Sequence, residues 1–166
     1  MPLNETFIAE LKQEAASTKK LLERVPYDNP NWQPHEKSMQ LGRLAGHVAE
    51  LTTWVNATMD HDELDFAKVE YKPPVINSAS ELVAFHEKNI AGAIECLKRH
   101  PDEDFMINWK LRNGKDIYFD LPKAVVLRSF VFNHLIHHRA QLGVFLRLLN
   151  IPLPNMYGPT ADETMM

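Results

Sequence analysis

The chain has 166 residues, 45% of them hydrophobic and 24% charged, with a formal net charge of −4, which is enough for one domain over 1–166 with a real core and argues against extensive disorder. The mild acidity and the scatter of its Lys and Arg residues exclude a phosphate-binding track, so nucleic acid is not an expected partner. A single cysteine, Cys96, excludes an internal disulfide and a cysteine-built zinc cluster; no run reaches the ~20 apolar residues that span a bilayer, and the N-terminal stretch with Glu5, Glu10 and Glu14 is no signal peptide, so the cytoplasm is expected and a membrane is not.

From Leu3 to about Arg24, the series Phe7, Ile8, Leu11, Ala15, Thr18, Leu21 and Leu22 predicts a first amphipathic helix. Pro26, Asn29-Pro30 and Pro34 end it, and Trp32 and His35 fall in a loop that runs over the surface or caps the core. Ser38 offers an N-cap to a second helix from Met39 to Met59, marked by Leu41, Leu44, Val48, Leu51 and Val55, with His47 on the same side. Asp60 to Pro74 reads as a connection that keeps at most a helical turn. Ser78-Ala79-Ser80-Glu81 has the spacing of a capping box and opens a third helix to about Arg99, in which Cys96 reads as a small buried apolar residue. Ile107 to Leu111 and Ile117 to Phe119 flank Asn113-Gly114 and predict a short hairpin with a type I′ turn, a minor appendage before the last helix. That helix starts at Asp120, with Pro122 in its first turn, and runs to roughly Leu149, where Asn150 and Pro152 stop it. The fold class expected is all-α, a four-helix bundle with a small β-hairpin excursion. The tail from Ile151 to Pro159 is too proline-rich for a helix and too apolar for water, so it is expected to pack back, bordering a cleft or a dimer interface or covering one end of the bundle.

Within the last helix, His134 and His138 are four residues apart and follow the inward stripe of Leu127, Val131, Leu142 and Phe145, while His137 points elsewhere. Spacing alone leaves two readings open, half of a helix-borne metal site or a pair of hydrogen-bonded core histidines. Two ligands hold a metal poorly, and His47 is the leading third because it alone among the remaining histidines lies on an inward stripe. His86 sits off the Leu82–Phe85 line and reads as a surface or boundary residue; His35, His61 and His100 fall in or beside loops, where a solvated histidine is expected. The protease pattern His-Glu-x-x-His is excluded, since Leu135 stands where its glutamate would be. Glu50, one turn after His47, either orients a ligand, acts as a base, or is an ordinary helix glutamate. Arg139 and Gln141 either bond to substrate or to groups behind the ligands, or are surface residues. Imidazole suits zinc, nickel, copper and iron alike; a divalent ion is expected, zinc or nickel first, with open positions for water or substrate.

The blocks Trp32-Gln33-Pro34-His35-Glu36-Lys37-Ser38, Leu41-Gly42-Arg43-Leu44-Ala45-Gly46-His47-Val48-Ala49-Glu50-Leu51, His134-Leu135-Ile136-His137-His138-Arg139-Ala140-Gln141-Leu142 and Tyr157-Gly158-Pro159-Thr160-Ala161-Asp162-Glu163 together resemble the DinB family, in order and spacing. Ala140 departs from the glycine common after the arginine and leaves the ligands intact. The resemblance implies a four-helix bundle of the DinB/YfiT type, a divalent ion on His47, His134 and His138, and a homodimer. Relatives in the wider superfamily include mycothiol-dependent maleylpyruvate isomerase and bacillithiol transferases, which implies a small-molecule substrate and a low-molecular-weight thiol. Two functions are therefore expected to compete: a metal-dependent enzyme activating a thiol or water, S-transfer before hydrolysis, and a non-catalytic metal-binding bundle that acts in structure or interaction.

Overall fold

Apolar periodicity places the first helix where it forms. In the structure, a computed structural model that describes residues 1–164, helix α1 spans Leu3–Leu22 and buries Phe7, Leu11, Thr18, Leu21 and Leu22. The expected second helix is two: α2 covers Leu41–Glu50 and α3 Thr53–Met59. Between them the Trp54 N–H donates to the Leu51 carbonyl at 3.2 Å and the Val55 N–H to that of Thr52 at 3.1 Å, three-residue steps that tighten the turn. Leu41, Leu44, Val48, Leu51 and Val55 are all buried across the break, so the hydrophobic period carries no mark of it. Ser38 does not cap α2; Gln40 holds that position without a side-chain bond.

Helix α4, Ala79–Arg99, begins as its capping sequence predicts: the Ser78 hydroxyl accepts from the Glu81 N–H at 3.1 Å, and Glu81 reaches back to the Asn77 N–H at 2.9 Å. Its His86 is buried, 1% exposed, against the expectation of a surface or boundary residue. One ring nitrogen faces the Ala15 carbonyl at 3.3 Å, and burial holds its pKa down.

The segment read as a loop contains a strand, β1 (Glu63–Asp65), which pairs in parallel with β2 (Asn108–Asn113), and β2 pairs antiparallel with β3 (Asp116–Pro122). Three residues whose partners lie 47 positions away leave no periodic trace. The all-α expectation is thereby corrected to a mainly helical protein with a small three-stranded sheet. The hairpin loop is Gly114-Lys115 rather than Asn113-Gly114, with Gly114 at φ +60° in the first central position, as a type II′ turn requires. Nor is the hairpin a minor appendage, because Trp109 is fully buried and donates from its indole to the Ala57 carbonyl at 3.0 Å.

Asp120, the expected cap of the last helix, lies in β3 opposite Lys110. Helical structure starts after Pro122 as α5 (Lys123–Val126), widens into a π-helical stretch over Leu127–Phe132, and continues as α6 (Asn133–Leu148). Asn150, at φ 58°, ends α6 in a Schellman arrangement, with the Ile151 N–H on the Leu146 carbonyl and the Asn150 N–H on that of Arg147, both at 3.0 Å. Helix α1 packs on α4, α4 on α2, α2 on α6 and α6 back on α1. Among the described residues, no helix is long and apolar enough to cross a membrane.

The tail packs back as expected. Arg139, buried, bonds the Glu14 carboxylate at 2.6 Å, the Glu14 carbonyl at 3.0 Å and Thr18 at 3.1 Å, and it donates to the Tyr157 hydroxyl at 2.6 Å. Tyr157 in turn donates to Glu14 at 2.7 Å. Removing one member of a buried pair leaves the other charge without compensation, so Arg139→Met should cost about 3–5 kcal/mol. Tyr157→Phe, which loses bonds to charged groups, should cost about 1.5–3 kcal/mol. Urea denaturation checks both; an Arg139→Met protein as stable as wild type would show the pair to be idle.

Candidate metal centre

Four residues make little more than one helical turn, so α6 projects His134 and His138 from the same face, and the packing of α2 against α6 sets His47 opposite them. The ring centroids lie 5.2 Å (His47–His134), 4.7 Å (His47–His138) and 4.7 Å (His134–His138) apart. One nitrogen from each ring lies within 4.8 Å of the others. The three histidines singled out in the sequence are therefore together, each half-buried, while His137 is exposed.

Two of the rings are held from behind. His47 Nδ1 lies 2.8 Å from Glu50 Oε1 and His138 Nδ1 lies 2.7 Å from Gln141 Oε1. A carboxylate or amide oxygen only accepts, so each Nδ1 carries the hydrogen and each Nε2 keeps its lone pair. Glu50 is buried and its Oε1 also accepts from Tyr71 at 2.6 Å and from Arg43 at 3.4 Å. Burial pushes its pKa up, and the bonds from His47 and Tyr71 with the charge of Arg43 outweigh that, so it stays an anion. His134 differs: its Nδ1 is buried without a partner among the described residues, and its ring packs on Phe130 at 5.5 Å between centroids. Burial first, then the neighbouring histidines, brings the His134 pKa down to about 4. His138 is lowered as well, again chiefly by burial.

Neutral imidazoles with inward lone pairs are the donor set that divalent ions take. His47 Nε2 and His134 Nε2 are 3.4 Å apart, and tetrahedral coordination with bonds of about 2.0–2.1 Å puts two ligand nitrogens roughly 3.3–3.4 Å apart. The residues fit a divalent ion of that kind. Beside them opens a cleft of about 340 Å³ whose lining includes Arg43, Trp54, Leu64, Phe66 and Tyr71 together with His47 and Glu50. The sheet thus supplies a wall of the site through Leu64, and Phe66, the first residue beyond strand β1, adds to that wall.

Arg139 and the tail lie elsewhere. The arginine is turned to Glu14, and the tail lines a separate cavity with Leu21 and Val144. Of the residues left open in the sequence, Glu50 and Gln141 are the ones that hold the candidate histidines from behind. Each stands three positions after its histidine, a same-face spacing visible in advance. Tyr71 had no such signal, because its segment has no period.

The profile of the DinB family matches residues 1–165. A protein of Bacillus subtilis (strain 168) known as uncharacterized protein YrdA is 24% identical over 160 residues, which cover 95% of this chain and 89% of that protein. A crystal structure of a DinB-like protein from Bacillus cereus ATCC 10987 has the same fold, with a TM-score of 0.72 and 22% identity over 94% of this chain and 98% of that one. A second DinB-like protein, YjoA of Bacillus subtilis, has a TM-score of 0.69 and 16% identity over 97% of this chain and 99% of its own.

Loss of the groups behind the ligands should show in metal affinity. Glu50→Gln and Gln141→Leu should each weaken zinc binding by about 10–100-fold in chelator competition, and unchanged affinity in both would remove their bracing role. Metal-free stability should carry the mark of His134. Its pKa falls on folding from 6.5 to about 4, so between those values the unfolded chain binds more protons than the folded one. Stability should then decline as the pH falls through that window and lose nothing further from this group below it. Thermal melts of metal-free wild type and His134→Gln check this, with the smaller decline expected in the variant.

Proposed function

Since the chain belongs to the DinB family, we propose that it is a divalent-metal-dependent enzyme in which His47, His134 and His138 hold the ion and a thiol or water is activated beside it. The observation that carries this reading is the convergence of three half-buried imidazole nitrogens at the edge of a cleft walled by apolar side chains. A divalent ion bound there supplies Lewis acidity, which draws the pKa of a thiol or water toward neutrality. The chain's own residues do the rest. Glu50 keeps the His47 lone pair directed inward and balances charge behind it. Trp54, Phe66 and Leu64 hold the apolar part of a substrate and keep water out, while Arg43, stacked on Tyr71 at 5.4 Å, sets a positive charge at the cleft.

Zinc or nickel is the proposed ion, with a small-molecule electrophile and a low-molecular-weight thiol as reactants. S-transfer stands ahead of hydrolysis on the analogy of the wider superfamily. The four longest helices are proposed to form the four-helix bundle of the DinB/YfiT type, in a single domain that works as a cytoplasmic homodimer.

One observation favours a second reading, a non-catalytic metal-binding module. Oxygen Oε1 of Glu50, the carboxylate at the cleft, already accepts from His47, Tyr71 and Arg43, so it is poorly placed to take a proton from a substrate. His134→Ala separates the two. In an enzyme it should abolish metal-dependent thiol consumption with electrophiles while the fold is largely kept; a structural ion should take several kcal/mol of stability with it. Activity is read with a panel of thiols on tag-free protein whose metal content has been measured. Full activity in a variant that melts like wild type would refute the catalytic ion.

A further inference from the structure

Far from the three histidines, the C-terminal ends of α3 and α4 bring a second set of ligand types together. Asp60 closes α3, Cys96 lies in the last turn of α4, and His100 caps that helix four residues later. A carboxylate oxygen, the thiol sulfur and a ring nitrogen lie within 4.8 Å of one another. From this geometry we infer a second metal site, independent of the proposed catalytic centre, that takes a thiolate-preferring divalent ion such as zinc on Asp60, Cys96 and His100.

The histidine is prepared for that role. Its Nδ1 lies 2.7 Å from Asp104 Oδ2, in the 3-10 turn Asp102–Met106, and its Nε2 faces Asp60 Oδ1 at 3.2 Å. A carboxylate behind Nδ1 is the usual orienting partner of a metal-bound histidine, and an ion would take the place of the hydrogen that Nε2 now donates to Asp60 Oδ1. The cysteine is fully buried and the aspartate is exposed, so the cluster is sunk on one side and open on the other, where solvent completes the coordination. Deprotonated, the buried Cys96 would stand beside the Asp60 carboxylate, and two anions at one place call for a cation. One divalent ion against one thiolate and one carboxylate is neutral, which removes the cost of burying a lone anion, and the sulfur selects against magnesium and calcium.

Two native cations face the cluster. Arg99 forks onto Asp60 at 2.9 and 3.2 Å, and its side chain is 57% exposed, so it can swing into water when an ion binds. Lys123 is buried and stays on the Met59 carbonyl at 2.9 Å; its charge weakens the site without blocking it.

The chain contains one cysteine, which makes the test specific. Cobalt(II) chloride is titrated into wild type and into the double variant His47→Ala/His134→Ala, and thiolate-to-cobalt charge-transfer absorption is read in the near ultraviolet. Cobalt should give that absorption in both proteins, saturating at one equivalent per chain in the double variant and only after the three-histidine centre has taken its share in wild type, and zinc should displace it. Cys96→Ser should abolish it, and Asp104→Asn should weaken cobalt binding by about 10–100-fold. If Cys96→Ser does not fold, Asp60→Asn, at an exposed position, reads the same loss. Absence of the absorption at saturating cobalt overturns the site, and so does its survival unchanged in both Asp60→Asn and His100→Ala. Because the double variant lacks two of the three histidines at the first centre, either result stands whatever becomes of the proposed catalysis.

Discussion

The packing of α2 against α6 sets the distance between His47 and the His134–His138 pair, and the chemistry of the site depends on that distance. Leu44 and Val48 on one helix and Leu135 and Leu142 on the other are buried in one cluster. Apolar contact of this kind is dense and tolerates little displacement, so the imidazoles are brought together by residues that take no part in binding. Preorganisation is thus a by-product of core formation. The rings lose water on folding, which is the chief reason the pKa values of His134 and His138 are lowered.

A helix can keep its separation from a neighbour and still rotate, and Arg139 guards against that. It follows His138 in sequence but turns into the body of the protein, where the Glu14 carboxylate and carbonyl, Thr18 and Tyr157 take up its donors. Burying such a pair adds little net stability, because desolvation opposes the attraction; here it ties α6 to α1 and to the tail. Held against α1, Arg139 restrains the rotational phase of α6, and with it the aim of His134 and His138.

The small sheet and the π-helical stretch complete the surroundings. Phe130, from the widened turn, lies against His134, Trp54 and Phe119. One aromatic side chain thereby joins the strand layer, the α3 helix and a candidate histidine. The cleft is walled on this side by residues from a strand and from the chain beyond it, so the sheet that looked incidental in the sequence shapes what the site can admit.

The main helical segments, the capping box at Ser78, the stop at Asn150, the same-face pair His134 and His138 and the inward position of His47 were legible in the sequence, because each is a local pattern: period, cap or same-face spacing. Tertiary structure alone decided the break after Glu50, strand β1, the true turn at Gly114 and the burial of His86. A stripe of apolar residues runs through a tightened turn without interruption, and a strand of three residues exists only through a partner distant in the chain. The site divides in the same way. Glu50 and Gln141 stood at a visible spacing from their histidines, but Tyr71 reaches Glu50 from a segment without period, and Asp60 meets Cys96 and His100 only because α3 and α4 end side by side. Short-range geometry is written into neighbouring residues, whereas contacts across the fold depend on how all the buried faces pack at once.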